Sequence, residues 1–116
     1  MLKQGINDLS LNKDQKDAIL EVKQELTKHF PVERIIVFGS VARGTAGEES
    51  DLDLLIITRE IMTHRDRNAI SGIIFEANYR YSTNLSMVVV DAASWNMGIL
   101  SLTPLYSEVQ RDGVII

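Results

Sequence analysis

Three apolar segments of strand length constrain the fold of this chain more than any other feature. They are Arg34–Phe38, Asp51–Thr58 and Asn84–Val90. A short connection joins the first two, which favours an antiparallel pair. Between the second and third, apolar residues recur at helical spacing from Thr63 to Tyr81. A helical crossover normally makes its flanking strands parallel, so we predict a small mixed β-sheet.

Helices account for most of the remaining residues. Residues 1–12 are predicted to be a short leader, and Pro31 ends the first helix because a residue before proline is pushed out of the α region. The predicted helices are Lys13–Phe30, the crossover helix, Ala93–Leu100 and a last helix from Thr103 to Gly113. The order α-β-β-α-β-α-α describes one α/β (α+β) domain over residues 1–116, with helices packed on the sheet.

Composition excludes several classes of protein. A length of 116 residues suits one domain, and the absence of cysteine excludes a disulfide scaffold. Sixteen acidic and twelve basic residues give a net charge of −4, which argues against a long nucleic acid as partner. The longest apolar runs, Leu54–Ile57 and Met87–Val90, are too short to span a membrane. Since the start also lacks a signal peptide, we expect a cytoplasmic protein without a membrane partner.

Two acids at the start of the second strand are candidate metal ligands. Asp51 and Asp53 are two residues apart, so in an extended chain their side chains point to the same face. Their like charges repel unless a cation lies between them, and aspartate is disfavoured in strands. Magnesium prefers oxygen ligands and usually arrives with substrate phosphates. The alternative interpretation is a frayed strand end with two solvated acids.

A glycine and a serine directly after the first strand form a candidate anion site. Gly39 permits a tight turn, and Ser40 is suited to cap a helical turn whose backbone amides attract an anion. Arg43, one turn later, has the charge to steady the outer phosphates of a nucleotide. Thr45 and Ala46 follow Gly44 where a Walker loop needs lysine and serine or threonine. The alternatives are a capped turn and a solvated arginine.

The predicted topology brings the candidate metal ligands close to the candidate anion site. If the first two strands are antiparallel, the end of one lies beside the start of the next. Ser40 then faces Asp51 and Asp53, and a triphosphate fits between amides and metal. In nucleotidyl transfer, metal ions clamp the attacking and leaving oxygens of an in-line displacement. The combination therefore predicts a two-metal type of magnesium site that binds a nucleoside triphosphate.

These residues resemble the signature of a known superfamily. Gly39-Ser40, ten further residues and then Asp51-x-Asp53 are similar to the motif of the polymerase-β-like nucleotidyltransferases. The surrounding Gly-Ser-Val-Ala-Arg-Gly and Ser-Asp-Leu-Asp-Leu-Leu-Ile resemble its small branch, the minimal nucleotidyltransferases. The resemblance implies the fold of that superfamily and magnesium-dependent transfer of a nucleotide to a hydroxyl.

The resemblance also implies a partner and residue roles. Several members of this branch act as antitoxins: they attach AMP from ATP to a tyrosine of a HEPN toxin, which is an RNase. Carried over to this sequence, Gly39 and Ser40 would hold the triphosphate, and Asp51 and Asp53 would hold the metal. The resemblance leaves the oligomeric state open.

This chain departs from the superfamily pattern at one position. The family uses a third carboxylate on the strand after the crossover helix, and parallel strands place it near the start of Asn84–Val90. Ser86 stands there, while Asp91 follows at the far end of the strand, where we predict a helix cap. Three outcomes are open: slow catalysis, nucleotide and partner binding without turnover, or a half-enzyme completed by another chain's acid.

Overall fold

A single five-stranded mixed sheet organises the molecule. The computed structural model describes residues 2–44 and 51–116. The strands are β1 (Lys3–Gln4), β2 (Val32–Phe38), β3 (Leu52–Thr58), β4 (Leu85–Asp91) and β5 (Val114–Ile115). Their order is β1-β5-β2-β3-β4, with β2 antiparallel to β3 and β3 parallel to β4. The predicted mixed sheet and both strand orientations are confirmed.

In the part of the chain that the structure describes, five α-helices and two 3-10 segments accompany the strands. The helices are α1 (Lys13–His29), α2 (Ser40–Arg43), α3 (His64–Tyr81), α4 (Ala92–Asn96) and α5 (Pro104–Asp112), and the 3-10 segments are Ile6–Asp8 and Ile99–Leu102. Side-chain caps fix the helix starts: Asn12 and Gln15 form a reciprocal capping box before α1, and Thr63 and Thr103 accept backbone amides of α3 and α5.

Two sequence predictions are wrong at the level of elements. The helix predicted over Ala93–Leu100 is broken, because α4 ends at Asn96 and a 3-10 segment begins at Ile99. A Cβ on Gly98 would lie 2.8 Å from the Cα of Ser94, so the turn between them requires a residue without a side chain. The predicted leader of residues 1–12 contains β1 and a 3-10 segment.

Helices cover both faces of the sheet. Helices α1 and α3 bury one face, and α4, α5 and the second 3-10 segment pack on the other. Trp95 of α4 is almost fully buried there, with its ring centroid 4.9 Å from that of Tyr106. The second face buries Ile36, Phe38, Leu55, Ile57, Val90, Trp95 and Val109. Since side chains alternate along a strand, Asp53 lies on this second face, two residues before Leu55.

Candidate active site

Asp53 lies in the middle of three neighbouring strands, at the end of the sheet where β2 finishes and β4 begins. Its Cα pairs with that of Phe38, the last residue of β2, and with that of Ser86 in β4. The antiparallel pairing of β2 with β3 therefore brings the turn after β2 to the start of β3. The predicted placement of the end of the first long strand beside the start of the next is confirmed.

Gly39 and the carboxylate of Asp53 are in direct contact. Gly39 has φ +83° and ψ −158°, a conformation that is essentially restricted to glycine. A Cβ built on Gly39 would lie 2.2 Å from Oδ2 of Asp53. The glycine is thus required twice, once for its backbone conformation and once for the space that the carboxylate fills.

The other oxygen of Asp53 accepts a hydrogen bond from β4. The hydroxyl of Ser86 donates to Oδ1 of Asp53 over 2.7 Å. Ser86 is exposed, whereas Asp53 is half-buried. The structure thus places Ser86 directly beside Asp53, at the strand position where the resemblance leads one to expect a third acid.

Asp91 lies at the other end of β4 and serves the fold. It pairs with Thr58 at the far end of β3, and its Oδ2 accepts the backbone amide of Ser94 over 3.0 Å. That bond, together with the Ser94 side chain and the nearby charge of Arg67, lowers the pKa of Asp91. The prediction that Asp91 caps the following helix is confirmed.

The short helix α2 carries the candidate phosphate-binding residues. Gly39 is its N-cap residue and Ser40 its first residue. Arg43, its last residue, forms an ion pair with Glu108 of α5, with 3.0 Å between Nη1 and Oε1. Sequence reasoning missed Glu108, which is 65 residues away and has no local pattern that would reveal the contact. The structure therefore ties α2 to α5 through Arg43.

Asp51 and Asp53 are the candidate ligands of a metal ion. Asp51 is exposed and precedes β3. Within residues 2–44 and 51–116, no group of three or more acidic, histidine or cysteine side chains is arranged to hold a metal ion. Carboxylate oxygens are the ligands that a hard divalent cation prefers, so the pair fits magnesium in type.

A concave region lies away from these residues. A groove of about 570 Å³ runs along the line where α1 and α3 meet, on the first face of the sheet. Arg80 crosses it and forms ion pairs with Glu21 and Glu76. The negative charge of Glu21 raises the pKa of Arg80. None of the candidate site residues lines this groove.

The chain is similar to known proteins over most of its described length. The profile of the nucleotidyltransferase domain family matches residues 19–93, which include every candidate site residue. The chain is 42% identical over 73 residues to MJ1305 of Methanocaldococcus jannaschii, covering 61% of this chain and 48% of that protein. It is 44% identical over 52 residues to the protein adenylyltransferase MntA of Thermococcus cleftensis, covering 44% of this chain and 52% of that protein. The chain thus spans about half the length of these two curated relatives.

A solved structure shares the fold. The crystal structure of a toxin–antitoxin complex with AMP-PNP contains a chain that superposes with a TM-score of 0.54 at 18% identity, over 88% of this chain and 70% of that one. Across the described residues of the present chain, no helix is long and apolar enough to cross a membrane. The family match covers most of the chain, including the β2–α2 turn and strands β3 and β4, and on that evidence the chain belongs to the nucleotidyltransferase domain family.

Proposed function

We propose that this chain binds a nucleoside triphosphate, ATP, and transfers AMP to a hydroxyl of a protein partner. Gly39 and Ser40 would hold the triphosphate, and Asp51 and Asp53 would hold magnesium. The acceptor hydroxyl gives up its proton to solvent as its oxygen attacks the α-phosphorus, the bond from that phosphorus to the bridging oxygen breaks, and pyrophosphate leaves. Magnesium, when bound, supplies positive charge for the oxygens of this displacement.

One observation carries the proposal: the Gly39 turn and the Asp53 carboxylate are in contact across two antiparallel strands. A helix start attracts phosphate, and two acids attract a divalent cation. A magnesium–nucleotide complex carries both a divalent cation for the acids and phosphates for the helix start. The arrangement therefore suits that complex better than it suits a bare cation or a bare anion.

The relatives support the choice of acceptor. MntA of Thermococcus cleftensis is a protein adenylyltransferase, and the structural neighbour is part of a toxin–antitoxin complex with AMP-PNP. We therefore propose that the acceptor is a tyrosine of a HEPN-type toxin and that the chain acts as its antitoxin. Arg43 supports the outer phosphates in this proposal, after release from Glu108, its partner in the structure.

The serine at position 86 favours a second candidate function. A neutral hydroxyl binds magnesium poorly and is a weak base. The hydroxyl of Ser86 also donates a hydrogen bond to Asp53. In this second function the chain binds nucleotide and neutralises the toxin through contact, with transfer that is slow or absent.

Two measurements separate the possibilities. Equilibrium dialysis with α-labelled ATP and magnesium tests binding, with the Asp51→Asn/Asp53→Asn double variant as its matched control. We expect the unsubstituted chain to bind and the double variant to lose most of that binding, because the cation then lacks its carboxylates. Equal binding by both proteins would refute the role of the two acids.

Transfer is tested by incubating the chain with α-labelled ATP, magnesium and a HEPN-type toxin. The transferase function is supported if the toxin becomes labelled. The label must require both Asp51 and Asp53, and it must disappear when the acceptor tyrosine is changed to phenylalanine. Neutralisation of the toxin by the double variant, without label, supports the contact function. Failure of the unsubstituted chain both to label and to neutralise the toxin would overturn both.

A further inference from the structure

We infer that the site holds one divalent ion with its nucleotide, rather than two, and that Ser86 is the residue that sets this number. The inference rests on the proposed function, since the ion is counted in the nucleotide complex. It concerns the two oxygens of Asp53, which are in different surroundings.

Oδ1 of Asp53 faces β4 and is engaged by a proton donor. Ser86 lies beside Asp53 in the parallel pairing, and its hydroxyl donates a hydrogen bond to Oδ1, with 2.7 Å between Oγ and Oδ1. A donor directed at this oxygen competes with a cation for its lone pairs. An ion on this side would have one engaged carboxylate oxygen and a neutral hydroxyl as its ligands. This side is therefore poorly suited to a cation.

Oδ2 of Asp53 faces the turn that leads into α2. It occupies the space in which a side chain on Gly39 would have to lie. A cation at Oδ2 would be close to the backbone where the triphosphate is proposed to bind, and Asp51 is available two residues away. This side therefore suits the ion that accompanies the nucleotide.

The supply of ligands leads to the same number. The described residues offer no cluster of three or more acidic, histidine or cysteine ligands. A second ion would need a carboxylate from the start of β4, where Ser86 stands, because Asp91 lies at the other end of that strand. An aspartate at position 86 would supply that carboxylate and remove the proton donor in the same step.

The test counts manganese ions by electron paramagnetic resonance. The chain is equilibrated with Mn²⁺ and α,β-methylene ATP, which cannot transfer AMP, and bound ions are counted per bound nucleotide. We expect one ion for the unsubstituted chain and two for Ser86→Asp. Ser86→Ala, which removes the donor without adding charge, is expected to stay at one, and circular dichroism checks that both variants fold.

The outcomes distinguish this inference from the function on which it rests. Two ions in the unsubstituted chain, or one ion in a folded Ser86→Asp variant, would overturn the one-ion inference while leaving nucleotide binding intact. Absence of bound nucleotide, or equal binding by the Asp51→Asn/Asp53→Asn variant, would overturn the proposed function and this inference with it.

Discussion

At Gly39, the carboxylate of Asp53 occupies the space that a side-chain methyl group would need. The residue combines a backbone conformation that is essentially restricted to glycine with a contact to Oδ2 of Asp53. Gly44, at the other end of α2, also has positive φ, at +76°, but a Cβ there would meet nothing within 4 Å. The two glycines therefore separate the effect of backbone strain from the effect of filling the site.

We predict that Gly39→Ala weakens nucleotide binding, whereas Gly44→Ala preserves it. Positive φ lowers the free energy of unfolding of both variants, by about 1–2 kcal/mol in the left-handed conformation of Gly44 and by about 1–3 kcal/mol in the conformation of Gly39. Only the Gly39 variant also displaces Asp53, which should weaken nucleotide affinity by roughly tenfold or more. Urea unfolding measures the first effect and equilibrium dialysis with labelled ATP the second. Similar losses of affinity in both variants would contradict the prediction.

Single residues of the site differ in how far the sequence could predict them. Asp51 and Asp53 stand out because acids at the start of a buried strand are unfavourable there, and Gly39 stands out because it directly follows a buried strand. The placement of Ser86 beside Asp53 follows from counting along two parallel strands. The ion pair of Arg43 with Glu108 could not be predicted, because it joins distant segments that no short-range pattern relates.

Among the elements, α4 depends on one side chain for its start. Asp91 accepts the amide of Ser94, and this bond is the main reason that the pKa of Asp91 is lowered. A carboxyl whose pKa is lower in the folded protein contributes stability above its unfolded pKa. That contribution is lost as the pH falls through the folded value. The sign of the effect is therefore a loss of stability in acid, at pH values below about 4.

We predict that Asp91→Ala lowers the free energy of unfolding by about 1 kcal/mol at pH 7. Asp91→Asn should cost much less, because asparagine is nearly as good a cap residue. The difference between the unsubstituted chain and Asp91→Ala should shrink below pH 4, where the carboxyl becomes protonated. Urea unfolding at pH 7 and pH 3 measures both effects, and a difference that is constant with pH would contradict the argument.

The elements also show where sequence patterns stop being informative. Strands β2, β3 and β4 are predictable because their apolar runs are long enough to show a pattern. Strands β1 and β5 have two residues each, too few to show one. The break after α4 depends on the close approach of Gly98 to Ser94, which is a tertiary detail of one turn.

For the whole molecule, the net charge of the chain and the charge of the proposed ligand are both negative. The chain carries −4 at pH 7, and a nucleoside triphosphate is also a polyanion. Bringing the two together requires a cation, because the acids of the site would otherwise face phosphate directly. Arg43 is already paired with an acid.

We therefore predict that removing divalent ions with EDTA lowers ATP affinity by roughly a hundredfold or more. Added Mg²⁺ should restore it, whereas an equal ionic strength of NaCl should not, because general screening does not replace a ligated ion. Equilibrium dialysis under the three conditions checks this. Full binding in EDTA would show that the acids act without a metal.

The pairing of β5 between β1 and β2 has a consequence for the order in which the sheet is assembled. The amide of Gly5 donates to the carbonyl of Ile115, and the amide of Ile116 donates to that of Ile35. Strands β2, β3 and β4 pair with one another without any contribution from residues 114–116. Among the described strands, β1 pairs only with β5. β1 can therefore join the sheet only once β5 is in place, whereas the strand pairings around Asp53 need neither of these two strands.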